Sequence, residues 1–163
     1  MLVDLLPGSK TTSGLKPERD TAVELKVRAL RYLMRREHSR AELARKLAPY
    51  ADSAESLEAV LADLASRKQL SDERYAEARA HSLARKYGAS KIRQDLKAHG
   101  VANAIVERVS SNGDEERARA ILARKYRTAA TTPQEKARRA RFLQSRGFSY
   151  DTIRRALVLA DND

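Results

Sequence analysis

The sequence predicts an all-α protein made of tandem three-helix, helix-turn-helix-like repeats, about nine helices in all. Three observations carry that prediction. First, residues 28–47 (RALRYLMRREHSRAELARKL) recur at residues 138–157 (RRARFLQSRGFSYDTIRRAL), with Arg28/Arg138, Arg31/Arg141, Leu33/Leu143, Arg36/Arg146, Ser39/Ser149, Arg45/Arg155 and Leu47/Leu157 identical. A fainter copy puts Gly88, Ile92 and Leu96 where Ser39, Leu43 and Leu47 stand. Second, apolar residues recur at three- and four-residue spacing, and no convincing strand run alternates with a period of two. Third, Pro 4, Gly 6 and 34% charged residues suit helices. With aromatics at 5% and no Trp, the core is modest and suited to close helix packing. A unit this small cannot bury its apolar face alone, so neighbouring copies must support one another.

The elements follow in order. Residues 1–21 hold Pro7, Gly8, Ser9, Thr11, Thr12, Ser13, Gly14 and Pro17 without periodicity and are expected to form a flexible tail. The first helix, about 22–36, has Val23, Val27, Leu30 and Met34 as its apolar stripe, with Arg28, Arg31 and Arg35 opposite. Ser39 with Glu42 forms a capping box and opens the second, to about Leu47, with Leu43, Ala44 and Leu47 buried; Pro49 ends it. The third, about 53–66, buries Leu57, Val60, Leu61 and Leu64, with Asp52 and Ser53 as cap candidates.

Ser71 caps the fourth helix, about 72–87, with Ala76, Ala80, Leu83 and Tyr87 inward, and Gly88 breaks it. The fifth, about 90–98, turns Ile92 and Leu96 inward and Lys91, Arg93 and Lys97 outward; Gly100 stops it. The sixth, about 102–110, carries Ile105 and Val109, and Asn112-Gly113 is a turn. The seventh, about 114–127, opens on Asp114, Glu115 and Glu116, which favour its dipole. Thr132-Pro133-Gln134-Glu135 supplies cap, first-turn proline and capping box for the eighth, to about Arg146. Gly147 ends it and Ser149 caps the ninth, about 150–159. The units are thus 22–70, 71–112 and 113–163.

Net charge is +11 with a pI near 10.2. Its placement says more than its sum. Residues 26–46 carry 8 basic and 2 acidic side chains, 79–97 carry 6 and 1, and 133–157 carry 7 and 2. The segment 47–78 carries 3 basic against 7 acidic. Positive charge therefore sits on the repeated pair itself, a field that favours a long polyanion over a small anion. Solvated helices usually mix signs; here one sign dominates. The candidate partner-facing residues are Arg79, Arg85, Lys86, Lys91, Arg93 and Lys97 in the middle, and Arg138, Arg139, Arg141, Arg154 and Arg155 at the end. Aromatics do not interleave with them: Tyr32, Phe142 and Phe148 fall at core positions of the repeat, which points to backbone contact rather than base stacking.

Other chemistry is missing from the sequence. No cysteine is present, which excludes disulfides and thiolate metal sites and fits a reducing cytoplasm. His38, His81 and His99 lack ligand spacing. There is no Gly-rich phosphate loop, HExxH or GxSxG, and no paired acid and base. No apolar run is long enough to span a bilayer. The chain is not expected to be an enzyme or to carry a metal or cofactor.

Leu70-Ser71-Asp72-Glu73-Arg74-Tyr75-Ala76, then Gly88 with Lys91-Ile92-Arg93-Gln94-Asp95-Leu96 and Gly100, then Arg141-Phe142-Leu143 with Arg146-Gly147-Phe148-Ser149-Tyr150 and Ile153, together resemble the RecX family, regulators that restrain the recombinase RecA. The resemblance covers about residues 24–159. It implies an elongated, curved arrangement of three-helix repeats without catalysis. It implies binding along the groove of the RecA–DNA filament, with strand exchange and coupled ATP hydrolysis inhibited by blocked extension or promoted disassembly, and so a place in recombination, DNA repair and the SOS response. DNA, single- or double-stranded, would be met through phosphates by a cytoplasmic monomer. One departure is Ala89-Ser90, where relatives often have proline. The alternatives are a sequence-specific helix-turn-helix repressor, in which Gln94 is the lone amide among the exposed positions of the short helices, and a helical adaptor for an acidic protein.

Overall fold

The computed structural model describes residues 19–159. Among the described residues are nine helices: α1 (Ala22–Leu33), α2 (Arg40–Leu47), α3 (Ala54–Ser66), α4 (Asp72–Ala84), α5 (Ala89–Ala98), α6 (Asn103–Ser110), α7 (Asp114–Lys125), α8 (Pro133–Ser145) and α9 (Tyr150–Leu159). Most of the expected caps form, and Thr21, assigned to the tail from sequence, adds another. Thr21, Ser53 and Thr132 each complete a capping box, and Ser39, Ser71 and Ser149 accept from the N–H of Glu42, Arg74 and Thr152. Each such cap is worth about 1 kcal/mol to its helix. The tail expected at 1–21 lies mostly outside the described residues. Its last residues are anchored: Asp20 donates its N–H to the Tyr50 carbonyl at 2.8 Å and Thr21 caps α1.

Three small cores follow one another along the chain. Leu25 and Ala29 of α1 meet Leu43 and Leu47 of α2, Val60, Leu61 and Leu64 of α3, and Leu70. Tyr75, Ala76 and Ala80 of α4 meet Ile92 and Leu96 of α5, Val101, and Val106 of α6. Ala118, Ile121 and Leu122 of α7 meet Leu143 of α8, Phe148, and Ile153 and Ala156 of α9. The repeat predicted by the sequence is visible in the burial: Leu43 and Ile92, and likewise Leu47 and Leu96, are wholly buried at matching places on α2 and α5. Burying one such side chain contributes roughly 1.5–3 kcal/mol.

Several sequence expectations need correction. α1 buries Leu25 and Ala29, not the stripe through Val23, Val27 and Met34, which are 73%, 43% and 85% exposed. The helix is apolar on two sides, and charge pairing decides between them. Lys26 reaches Asp63 of α3 at 2.5 Å, and Arg28 pairs with Asp20 at 2.6 Å while lying 3.8 Å over the Tyr50 ring. Arg28 is thus a packing residue rather than part of a solvated face. Glu42 does not complete a box with Ser39, because Arg36 and Lys46 hold its carboxylate. Tyr75 is buried where Leu83 and Tyr87 were expected, and both of these are only half-buried. On α6 the buried face is Val106 and Ser110 rather than Ile105 and Val109.

The units are joined by one device used twice. The carboxylate of Asp72, first residue of α4, accepts from the Arg40 N–H at 2.7 Å, at the N-terminus of α2. The carboxylate of Asp114, first residue of α7, accepts from the Ala89 N–H at 2.9 Å, at the N-terminus of α5. Helix α5 starts on Gly88, which has no side-chain cap, so the next unit supplies it. At both junctions the backbones are also in close contact. Ser39 Oγ donates to the His99 carbonyl at 2.6 Å. Gly88 donates to the Arg146 carbonyl at 2.9 Å and Ser90 to the Gly147 carbonyl at 3.2 Å. A Cβ on Gly88 would lie 2.7 Å from both the Gly147 carbonyl oxygen and the Phe148 ring. Gly147 itself sits at φ +86 with the Lys91 backbone nitrogen 2.9 Å from where its Cβ would be.

Two substitutions test the second junction. Gly88→Ala should cost about 1–3 kcal/mol, because overpacking here meets backbone that cannot yield. Asp114→Ala should cost about 1–2 kcal/mol through the lost cap. Urea denaturation midpoints of both variants against the parent chain check them.

Candidate nucleic-acid interface

The eleven basic residues singled out by sequence divide by what faces them. Arg79 is engaged: its Nε and Nη2 each lie 2.8 Å from the Asp95 carboxylate. That bidentate bond holds the Asp95 carboxyl below its ordinary value. Arg93 pairs with Glu107 at 3.0 Å, and Lys97 approaches the same carboxylate at 3.9 Å. Arg154 and Arg155 make only long contacts, 4.0 Å from Asp151 and Glu115, with both cations well exposed. Exposed pairs of that kind are weak and salt-labile. Arg85, Lys86, Lys91, Arg138 and Arg141 are exposed and have no carboxylate partner among the described residues.

Arg139 is a correction. It is 6% exposed, donates from Nη2 to the Thr128 carbonyl at 2.7 Å, and lies 4.5 Å over the Tyr126 ring. Its stem fills space between α8 and the α7–α8 loop while its head ties that loop down, so it faces the interior.

The structure joins two of these cations, Lys91 and Arg138, to Arg146 and Lys125 through aromatic rings. Lys91 and Arg146 lie 5.6 and 5.7 Å from the centre of Tyr87. Arg146 also lies 5.2 Å from Phe142, and Lys125 lies 4.9 Å from that ring and 5.7 Å from Tyr126. Arg138 reaches Tyr126 at 6.0 Å. Beside this series, Ser82, Leu83, Arg85, Lys86, Tyr87 and Arg124 line an open cleft of about 520 Å³. Arg124 is held there by donating to the Arg85 carbonyl. The result is a continuous cationic strip where the second and third units meet. Cation–π contact orients such groups and leaves their N–H bonds available to an anion.

Sequence reasoning missed Arg124, Lys125 and Arg146, and missed the rings' part. Tyr87, Tyr126 and Phe142 are half-buried against the cores, and each also carries a cation. A signal was present: Tyr87 to Lys91 and Phe142 to Arg146 are both i, i+4, and Lys125 adjoins Tyr126.

The first junction is different in kind. Arg36, Glu42, Tyr75, Arg79 and His99 line a cleft of about 300 Å³ whose charges are already matched. The hydrogen bond from Arg36, and a second from Lys46, hold Glu42 down to about 2 against burial. His38 is buried, with Nδ1 3.0 Å from the Arg36 carbonyl and Nε2 3.0 Å from Lys46 Nζ. Burial holds the His38 imidazole below its ordinary value. Among the described residues no group of His, Cys, Asp and Glu is placed to hold a metal, and no helix is long and apolar enough to cross a membrane.

Comparison with known proteins gives this geometry a context. Models of the first, second and third three-helix domains of RecX match residues 26–64, 71–109 and 113–157. A regulatory protein RecX of Herbaspirillum seropedicae is 42% identical over 141 residues, 85% of this chain and 92% of the relative. Another, of Leptothrix cholodnii, is 44% identical over 144 residues, 86% and 92% of the two chains. The crystal structure of RecX from Lactobacillus salivarius superposes with a TM-score of 0.75 at 20% identity, covering 87% of this chain and 97% of that one. At that identity the likeness speaks for the fold alone.

The charge matching at the first junction predicts an acid-labile fold. Glu42 has its folded value lowered from 4.5 to about 2, so its contribution is complete above pH 4.5 and is lost as pH falls from there towards 2. Glu42→Gln should flatten the fall in thermal midpoint over that window and lower the midpoint at pH 7, as a pH series of melting curves will show.

Proposed function

The chain belongs to the RecX family, and from that premise we propose that it binds the RecA–DNA filament and inhibits the recombinase and its coupled ATPase in DNA repair and recombination. The observation that carries this reading is the match to proteins named regulatory protein RecX along all three units, over more than nine-tenths of those relatives. The physical features agree with it. A filament of protein on DNA presents a long row of phosphates, and the cations around Tyr87, Phe142 and Tyr126 form a strip rather than a pocket. Such a strip binds by charge and counterion release, without reading sequence. The partners proposed are the filament and DNA phosphates, for a cytoplasmic protein acting as a monomer. The partner-facing set proposed is Arg85, Lys86, Lys91, Lys97, Arg138, Arg141, Arg154 and Arg155, with Arg79 and Arg93 contributing once their own carboxylates are outcompeted.

The test is RecA ATPase on single-stranded DNA, titrated with this protein. Lys91→Glu with Arg141→Glu should raise the half-inhibitory concentration roughly tenfold, since a complementary field sets encounter and register. Its circular dichroism and melting midpoint should match the parent's. Full inhibition by that folded variant, or none by the parent chain, would remove this reading.

A further inference from the structure

The cationic strip has a property that a general attraction to polyanions does not require: its aromatic faces are already occupied. Tyr87 has Lys91 and Arg146 over it, and Phe142 has Lys125 and Arg146. Both rings are half-buried in the protein's own cores. Nothing in the strip offers a bare ring to an unstacked base. Proteins that hold single strands without sequence preference depend on such rings for much of their grip.

What remains is phosphate chemistry. Arg85 and Lys86 stand exposed at the rim of the cleft with no partner among the described residues, and the Arg124 guanidinium is fixed across from them by the Arg85 carbonyl. We propose that Arg85, Lys86, Arg124, Lys91, Arg146 and Lys125 form a seat for the phosphodiester backbone of a DNA duplex, held in preference to a single strand. This rests on the reading of the strip as the nucleic-acid face. A duplex supplies about one charge per 1.7 Å of axis without needing its bases touched, and that is the density a row of oriented cations can use. The seat belongs to the junction between the second and third units. The first unit is not a second copy of it: Lys26, Arg28, Arg36, Arg40 and Arg67 face carboxylates, and its exposed Arg31, Arg35 and Arg45 lie over no aromatic ring among the described residues.

The test is fluorescence anisotropy of the full chain with a random-sequence duplex and with one strand of it, over a salt series. Two charge-reversed pairs are compared: Arg85→Glu with Lys86→Glu in the seat, and Arg31→Glu with Arg35→Glu at the C-terminal end of α1 and just past it, also exposed and without a carboxylate partner among the described residues. The parent chain should bind the duplex more tightly than the strand. The seat pair should weaken duplex binding roughly tenfold or more at low salt and reduce the log–log salt slope by about two. The α1 pair should leave the slope unchanged. Equal loss from both pairs, no loss from the seat pair, or tighter binding of the single strand would overturn the proposal. The milder Arg85→Gln with Lys86→Gln gives the same answer if the reversed pair does not fold. RecA ATPase inhibition, measured on the same variants, is scored separately. Duplex binding lost with inhibition intact supports this seat and leaves the filament reading standing. Inhibition absent in a parent chain that grips duplex through the seat removes the filament reading alone.

Discussion

A carboxylate lent by one unit to the helix end of its neighbour is the constraint on which the rest of this structure depends. Helices α2 and α5 are short, 8 and 10 residues, and helices of that length are marginal in isolation. Each has its first N–H groups at an interface, where an unpaired donor would be costly. Asp72 satisfies Arg40, and Asp114 satisfies Ala89, in each case from the first helical residue of the following unit. Asp114 is in turn held by Arg117 at 2.7 Å. Because the bonded atom is a backbone nitrogen, the register between neighbours is set by chain geometry rather than by an adjustable side chain. Gly88, Gly100 and Gly147 complete that geometry by letting backbone approach what a Cβ would push away: a Cβ on Gly100 would lie 2.5 Å from the Ala41 Cβ. A rigid junction is what allows cations on α4, α5, α7 and α8 to form one strip.

Charge is allotted unevenly for the same reason. In the first unit and at its junction with the second, the carboxylates that steady helix packing also absorb several arginines: Arg36 is used by Glu42, Arg40 by Glu58, and Arg74 of α4 by Glu37. Their role there is cohesion between α1, α2, α3 and α4. Where the second unit meets the third, packing is by glycine and aromatic ring instead, and the nearby acid, Asp114, is spent on a cap and on Arg117. The strip cations Arg85, Lys86, Lys91, Arg124, Lys125 and Arg146 have no carboxylate partner among the described residues. The ring-bound part of the protein's free positive charge therefore arises from how its second junction is built, while free cations elsewhere, such as Arg31 and Arg35, stand apart from it.

How much of this could be read from sequence follows from which interactions are local. Caps, glycine stops and the spacing of Leu43, Leu47, Ile92 and Leu96 are set within a few residues, and they stand where expected. The face of α1 does not, because Val23, Val27 and Met34 compete with Leu25 and Ala29 on equal hydrophobic terms. The choice is made by Asp63 and Tyr50, which lie far along the chain. Charge counting pointed to 79–97 and 133–157, where part of the strip lies, but missed Arg124 and Lys125 and could not separate the cations spent on Asp95 and Glu107 from those left free. Arg139 shows the limit most clearly. It is identical in type to its exposed neighbour Arg138, and only the path of the loop at Thr128 turns it inward. The caps provided by Asp72 and Asp114 were equally hidden: both residues read as ordinary first-turn acids, and the donors they satisfy belong to another unit.

The same junctions bear on whether these helix pairs read base sequence as a repressor's would. A recognition helix puts its N-terminal residues into the major groove. Here the N-terminus of α2 is occupied by Asp72 and by the contact of Ser39 with His99, and that of α5 by Asp114, Arg146 and Gly147. Two of the three candidate reading heads are therefore closed by the protein itself. Only α9 presents its first turn, with Tyr150 79% exposed, and one such helix offers too few polar contacts to specify a site. The helix-turn-helix geometry in this chain is used for stacking one unit on the next. What it leaves on the outside is a strip of cations, oriented by rings and, at Arg124, by a backbone carbonyl.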